Sequence, residues 1–480
     1  VRGLEIDTLV FMKFKVVNNE FIELPIRTVD TGYGIDRYAW LSQGSISAFH
    51  AVFDSILEEI FRMAGIGRVD NKLLTKVSEL SGLMSLKKTE DRSEARRKVA
   101  NQIGIDMDTL SKILTPIENV FVVADHTKCL AFMLAEGIVP SNVREGYLAR
   151  LIIRRTHRLL RALGIEERLA DIIDMQIGYW SPDFPHLKEM HDEILEILSV
   201  EQEKFRQTLE RGSLLVKRVA QDLKKRNVSK MPVETLSELY DSHGLPPEIV
   251  QETAEKEEIR VDVPEGFYTM IAERHVQAPQ EPVVEKVRGL EAKVSDLPST
   301  GMLYYEDPYL REFEAKVLRV VDGVYVVLDK TAFYPEGGGQ PADHGYLKSD
   351  GKSVEVVDVQ KVGNVIVHIV KDALVLKSGS RVKGSIDWER RSSLMKHHTG
   401  THVVNGAARR VLGQHVWQAG SQKDVDKARL DISHFRRITL EEMHKIECLA
   451  NEAVLKNIPV ETMWLPRTEA EKRYGFRLYQ

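Results

Sequence analysis

The amino-acid sequence predicts an α+β multidomain chain, on three observations. Residues 6–29 are dense in β-branched and aromatic residues and read as a hairpin. Residues 45–260 keep helical apolar spacing over long stretches. Beyond Gly301, short β-rich runs recur between Gly, Asp and Asn, and after Trp388 the chain turns helical again. The length of 480 residues, at roughly 150 per domain, allows about three domains, each large enough to bury a core.

Each element follows from its residues. "LVFMKFKVV", the turn "NNE" and "FIELPIRTV" form the hairpin, whose "TLVFMKF" is expected to be a buried strand. Stretches such as "AVFDSILEEIFRMAG" and "HDEILEILSVEQEKFRQTLERG" form helices, punctuated by "GIVPSN" (137–142) and "SHGLPPE" (242–248), where Pro and Gly force turns. The Pro-bearing stretch Gln277–Gly289 is the best linker. The runs "EAKVLRVVDGVYVVLD", "VEVVDVQKVGNVIVHIV" and "RVKGSIDW" suggest a small β-barrel or sandwich, and the segment after Trp388 an α+β unit.

Composition excludes several classes. Acidic residues outnumber basic ones by 72 to 67, a net charge of −5, and 43% hydrophobic residues are too many for a disordered chain. No uninterrupted apolar run of about 18 residues could span a bilayer, so no membrane partner is expected. Cys129 and Cys448 are too few for a disulfide framework, and no signal-peptide pattern opens the chain; a reducing, cytoplasmic location is expected. Val1 in place of Met and the abrupt stop at Gln480 lead to the expectation that both ends are cut.

Four constellations could carry chemistry. In "VDTGYGIDR", Gly32 and Gly34 let a strand end pass close to a ligand, and Arg37 opens a helix with its guanidinium toward that space, a geometry suited to polyphosphate. The plain alternative is a tight strand-to-helix turn; the segment is neither a Walker A nor a Rossmann loop. On the helix after "VPSN", Arg150, Arg154, Arg158 and Arg161 share one face while Leu148, Ile152, Leu159 and Leu163 share another. Six Arg against one Glu between Arg144 and Arg161 favour a phosphate backbone as partner, the alternative being arginines paired with carboxylates elsewhere.

In "HHTGTH", His398 and His402 stand four apart, as two imidazoles must to reach one Zn²⁺ from a helix. Thr399 occupies the place where a metalloprotease carries its Glu, so peptide hydrolysis by that route is not expected. Two ligands do not close a zinc site, and plain packing is the alternative; His415, His434 and His444 show no motif. In "YPEGGGQPAD", three consecutive glycines imply positive φ or close backbone approach to a ligand, with Gln340 as donor and acceptor; a wide hairpin loop is the alternative.

The order and wording of "VDTGYGIDRYAWLSQG", "DHTKCLAFMLAEGIVPSNVREGYLARLIIRR", "EQEKFRQTLERG", "LYDSHGLPPE", "FYPEGGGQPADHG" and "HHTGTHVVNGAARRVLG" resemble the alanyl-tRNA synthetase family in its archaeal form, over residues 4–480. The resemblance implies the tail of a class II antiparallel-sheet catalytic domain (1–45, motif 3), a helical tRNA-recognition domain (46–285), a β-barrel part of an editing region (286–390) and a truncated α+β editing domain (391–480). It implies that Arg37 binds ATP phosphate, that Gly32 and Gly34 make room for the nucleotide, and that Asp30 holds the substrate's α-ammonium. Asn142 and Asp241 would read the G·U wobble pair of the acceptor stem, with Arg150, Arg154 and Arg158 along its backbone.

The same resemblance makes His398 and His402 two zinc ligands and Gln340 a residue of an editing site that hydrolyses Ser-tRNA(Ala) or Gly-tRNA(Ala). Editing is expected on physical grounds, because a pocket for alanine cannot sterically reject glycine. The implied partners are tRNA(Ala), alanine and ATP with Mg²⁺, and the implied cofactor is Zn²⁺. The family's motifs 1 and 2, its Cys-x-x-x-His zinc ligands and its dimerisation region have no match here. The expectation is therefore that the 480-residue chain does not form alanyl-adenylate and binds zinc poorly, and that homodimerisation needs the further C-terminal region. The rivals are a free-standing mischarged-tRNA deacylase and a non-catalytic tRNA-binding relative, which the "GYGIDR" block and the helical region argue against in the first case.

Overall fold

A computed structural model describes residues 5–17, 20–67, 71–81, 92–141, 144–264, 267, 289–373, 375–475 and 478. The hairpin turn at Asn18 and Asn19, nearly all of the linker, and Asn142 lie outside these residues, as does the side chain of Asp241. The chain divides into two compact units, Val1–Glu265 and Gly266–Gln480. Among the described residues no helix is long and apolar enough to cross a membrane, and both cysteines are free and exposed.

The first unit opens with the expected hairpin, β1 (Asp7–Val17) and β2 (Glu20–Tyr33), paired antiparallel. The register jumps between Met12 and Phe14, where β2 bulges around Pro25, which has no N–H for the ladder. The strand read as buried is not. Phe11 is 78% exposed and Phe21 76%, because two strands alone supply no second layer.

Helices α1 (Ile35–Gln43), α2 (Ala48–Met63), α3 (Asn71–Ser81), α4 (Arg92–Ile103), α5 (Met107–Ala135), α6 (Arg144–Ala162), α7 (Leu169–Trp180), α8 (His186–Glu189), α9 (His191–Lys225), α10 (Val233–Asp241) and α11 (Pro247–Glu255) follow. Asp106 caps α5 by accepting from Thr109 N–H. The 29 residues of α5 bury Leu110, Leu114, Ile117, Val120, Val123, Leu130 and Leu134 at helical spacing. The 35-residue α9 buries Ile194, Ile197, Leu198, Phe205, Val216 and Ala220, and Glu201 lies in the same stripe.

Among the described residues of α6 the buried side chains are Ala149, Ile153, Thr156 and Leu160, at i, i+4, i+7 and i+11. The apolar face read from Leu148, Ile152, Leu159 and Leu163 is corrected accordingly: Leu148 is 49% exposed. The helix turns so that Arg150 and Arg154 flank the buried stripe, because a buried carboxylate awaits them.

The second unit is built on a closed barrel. After α12 (Glu291–Val294), β3 (Gly301–Met302) and α13 (Leu303–Glu306) come β4 (Glu312–Val321), β5 (Tyr325–Leu328), β6 (Lys330–Thr331), β7 (Gly345–Ser349), β8 (Lys352–Val362), β9 (Val365–Val370) and β10 (Arg381–Ile386). The barrel order is β10-β4-β5-β9-β8-β7, and antiparallel pairing of β10 with both β4 and β7 closes it. Of barrel and sandwich, the barrel is found. Phe313, Ala315 and Val317 alternate inward along β4 and meet Leu347, Val356 and Ile366 in one core.

Helix α14 (Trp388–Leu412) leaves the barrel with Asp387 as N-cap, and is followed by the hairpin β11 (Gln418–Lys423) and β12 (Ala428–Ile432), α15 (Leu440–Leu455) and α16 (Arg467–Tyr474). Thr439 and Glu442 form a capping box at the start of α15.

Candidate functional site

The two motifs of the second unit meet. The "HHTGTH" segment lies within α14, and His398 and His402 stack on one face with ring centroids 5.3 Å apart and planes 21° off parallel. The "GGGQ" loop comes to them from the barrel: Gln340 Oε1 lies 2.9 Å from His398 Nδ1 across 58 residues of sequence. Since Oε1 is an acceptor only, Nδ1 carries the proton and Nε2 of the neutral ring keeps its lone pair.

The loop's glycines are needed for this approach. Gly338 and Gly339 have φ of +59° and +70°, and a Cβ at Gly338 would stand 3.3 Å from His398 Cε1. Gly337 and Gln340 exchange backbone hydrogen bonds of 3.0 and 3.1 Å, closing the turn.

Lys423, at the end of β11, completes the surroundings. Its ammonium donates to the Gly338 carbonyl at 3.0 Å and to Ser421 Oγ at 2.8 Å. The hairpin that carries Lys423 is tied to α14 by Ser393 Oγ, which donates to the Val425 carbonyl at 2.9 Å, and by His397 Nδ1, 2.6 Å from the Asp424 carbonyl. His397 thus serves the hairpin. Burial holds the Lys423 ammonium below its ordinary pKa. Burial, then the neighbouring Lys423 and His402, hold His398 below the usual histidine range, favouring the neutral ring that a metal requires.

Behind the loop, Asp343 and Arg391 form a fully buried ion pair at 3.1 Å. Asp343 accepts from Tyr334 N–H at 2.7 Å, Arg391 donates to the Ala332 carbonyl at 3.1 Å, and Arg390 donates to the Ala342 carbonyl at 3.2 Å. Both flanks of the glycine turn are thereby fastened to the first turn of α14, which fixes the distance between Gln340 and His398. Burial pushes the Asp343 carboxyl up to about 6 even with Arg391 beside it.

His398 and His402 are the two residues here whose chemistry could serve a metal. They share a face, and Gln340 orients the first as an outer hydrogen-bond partner does in metal sites. Among the described residues no three or more His, Cys, Asp or Glu gather into a fuller set. His415 and His434 stack on one another, Nε2 to Nδ1 at 2.8 Å, and His444 sits 3.8 Å from Cys448 Sγ on exposed α15.

In the first unit, Asp30 and Gly32 lie two apart on β2 and are exposed. Gly34 precedes α1 and donates to the Ile6 carbonyl at 2.8 Å; a Cβ there would come 3.0 Å from Arg37 Cδ, so the glycine lets Arg37 fold back. Arg37 opens α1, and its Nη1 donates to the Glu5 carbonyl.

Arg150 and Arg154 turn inward. Arg150 grips Glu201 of α9 with bonds of 2.8 and 3.0 Å and donates to the Pro140 carbonyl at 3.1 Å. Arg154 donates to the Gly244 carbonyl at 2.9 Å and lies 4.0 Å from the same Glu201. One glutamate therefore joins the segment just before Asn142 to the one just after Asp241. Arg158 is half-buried.

Sequence reasoning missed Glu201, Lys423 and the Asp343–Arg391 pair. Glu201 carried a signal, since it stands three residues after Leu198 and four before Phe205 in an apolar stripe, where a carboxylate needs a partner. Lys423 carried none.

Residues 1–390 match the model of the family described as tRNA synthetases class II (A). The match takes in the glycine loop and ends before His398. The chain is 50% identical over 493 residues to the alanine–tRNA ligase of Thermococcus kodakarensis and 49% over 495 residues to that of Pyrococcus furiosus, covering 100% of this chain and 54% of each relative. With the alanine–tRNA ligase of Methanothermobacter thermautotrophicus it is 42% identical over 484 residues, 100% of this chain and 53% of the relative. The chain thus spans about half the length of the curated relatives it matches. By a family match that runs through 390 of its 480 residues, the chain belongs to the class II (A) tRNA synthetases.

Proposed function

We propose that this chain forms part of an alanine–tRNA ligase, which attaches alanine to tRNA(Ala) at the expense of ATP, and that its second unit hydrolyses mischarged Ser-tRNA(Ala) and Gly-tRNA(Ala). The observation that carries the hydrolytic reading is the 2.9 Å contact between Gln340 and His398. It joins two motifs that a merely structural barrel and helix have no reason to join. The names of the relatives support the ligase reading.

In this reading His398 and His402 supply two ligands to Zn²⁺, which when bound polarises water or the ester carbonyl. Gln340 keeps His398 Nε2 available. The glycine turn brings bare backbone to the ester, and the Asp343–Arg391 pair holds that turn in place. On the first unit, Asp30 takes the α-ammonium of alanine, and Gly32, Gly34 and Arg37 take ATP with its Mg²⁺. Asn142 and Asp241 read the acceptor stem, with Arg158 beside its backbone. Arg150 and Arg154 serve that reading by holding the flanking segments, because their guanidinium groups are spent on Glu201, Pro140 and Gly244.

The test is deacylation of Ser-tRNA(Ala), with zinc in excess, by a full-length ligase that contains this chain. Hydrolysis that stops on chelation and in His398→Ala is the expected result. Hydrolysis that continues in both overturns the assignment, and so does its absence in the unaltered ligase.

A further inference from the structure

We infer that Lys423 is the anion-binding group of this site, its ammonium stabilising the negative charge that develops on the ester's carbonyl oxygen during hydrolysis. The inference rests on the deacylation reading above and deepens it. Nothing in the motifs points to this lysine; its surroundings do.

Lys423 is only 4% exposed, and a lysine is almost never buried so far without a carboxylate. Among the described residues no carboxylate lies within 4.0 Å of its Nζ, and its partners are two neutral oxygens, Gly338 O and Ser421 Oγ. An ammonium has three donors. Two are used, so one N–H of this buried lysine is left with no acceptor among the described residues. Its place is specific. A Cβ at Gly339 would stand 3.1 Å from Nζ, and a Cβ at neighbouring Gly338 would stand 3.3 Å from His398 Cε1. The ammonium and the histidine thus border the same two glycines, which present no side chain between them.

A buried cation kept without a counter-ion costs stability in the resting protein, and the cost is recovered when an anion forms beside it. Ester hydrolysis forms one. Water adds to the carbonyl carbon, and the carbonyl electron pair moves onto oxygen as the oxyanion. Its collapse re-forms the carbonyl and breaks the bond to the ribose oxygen. That oxygen takes one proton of the water, and the second proton leaves as the released serine ionises. The third donor of Lys423 serves the oxyanion stage. Its bonds to Gly338 and Ser421 hold it there, so it is not free to swing out as a surface lysine is.

The test uses the 480-residue chain and two RNA minihelices with the tRNA(Ala) acceptor stem. One carries at its 3′ end a phosphonate mimic of the tetrahedral seryl intermediate, the other a neutral seryl amide. Fluorescence anisotropy measures both affinities. The unaltered chain is expected to prefer the phosphonate by about tenfold or more. Lys423→Met removes that preference without weakening the amide complex, and Lys423→Arg keeps part of it. A preference that survives in Lys423→Met overturns the inference. Equal weakening of both complexes also overturns it, because Lys423 would then only brace the glycine turn. If the unaltered chain binds neither RNA, the deacylation reading fails first.

Discussion

Helix α6 of the first unit and helix α14 of the second carry the same kind of sequence signal, functional residues four apart on one helical face, and the fold uses the two differently. On α14 the marked residues take no part in fastening the loop to the helix by ion pairs, because a separate buried pair, Asp343 and Arg391, does it. On α6 the marked residues are the fastening: Arg150 and Arg154 are drawn onto Glu201. Spacing shows that side chains share a face. What the face meets decides whether they bind a ligand or one another, and here a single glutamate at an apolar position of α9 makes the difference.

The largest expected effect breaks the comparison on its α6 side. Glu201→Ala leaves two guanidiniums without their carboxylate and should destabilise the first unit by about 3–5 kcal/mol. Leu148→Ala, on the face first read as apolar, should change stability by no more than about 0.5 kcal/mol. Chemical denaturation of the 480-residue chain, followed by a probe in each unit, measures both. Equal effects would return the arginines to the surface.

A smaller effect sharpens the α14 side. The folded Asp343 carboxyl, at about 6 against an ordinary 3.8, holds its proton more tightly than the unfolded chain does. Between about pH 4 and 6 the folded state then binds more protons than the unfolded one, so this group's contribution to stability falls as pH rises. Melting of the second unit across that range should show the decline, and Asp343→Asn should flatten it. A decline unchanged by the substitution would assign it to other groups.

The parts legible in the sequence are those governed by local pattern. The hairpin, the long helices and the strands of the second unit follow from periodicities of 2 and 3.6, which left barrel and sandwich open, and both motifs stand out because three glycines or two histidines so placed need a reason. The parts that were not legible are relations across the chain. Nothing near Gln340 indicates that it meets a histidine 58 positions on. Lys423 ends a strand, "QAGSQK", with no alternation to say which side is buried. The exposure of Phe11 runs against the reading of its strand as buried because strand composition does not reveal whether a second layer covers the strand.

The central claim is that the glycine loop and the histidine helix make one site. A double-mutant cycle on Ser-tRNA(Ala) deacylation, with Gln340→Ala, His398→Ala and the pair, tests it most directly. If Gln340 acts by orienting His398, the loss from Gln340→Ala alone is about 10- to 100-fold. The double variant is then no slower than His398→Ala, because residues that act as a unit are not additive. Losses that multiply would show two independent contributions and contradict the claim.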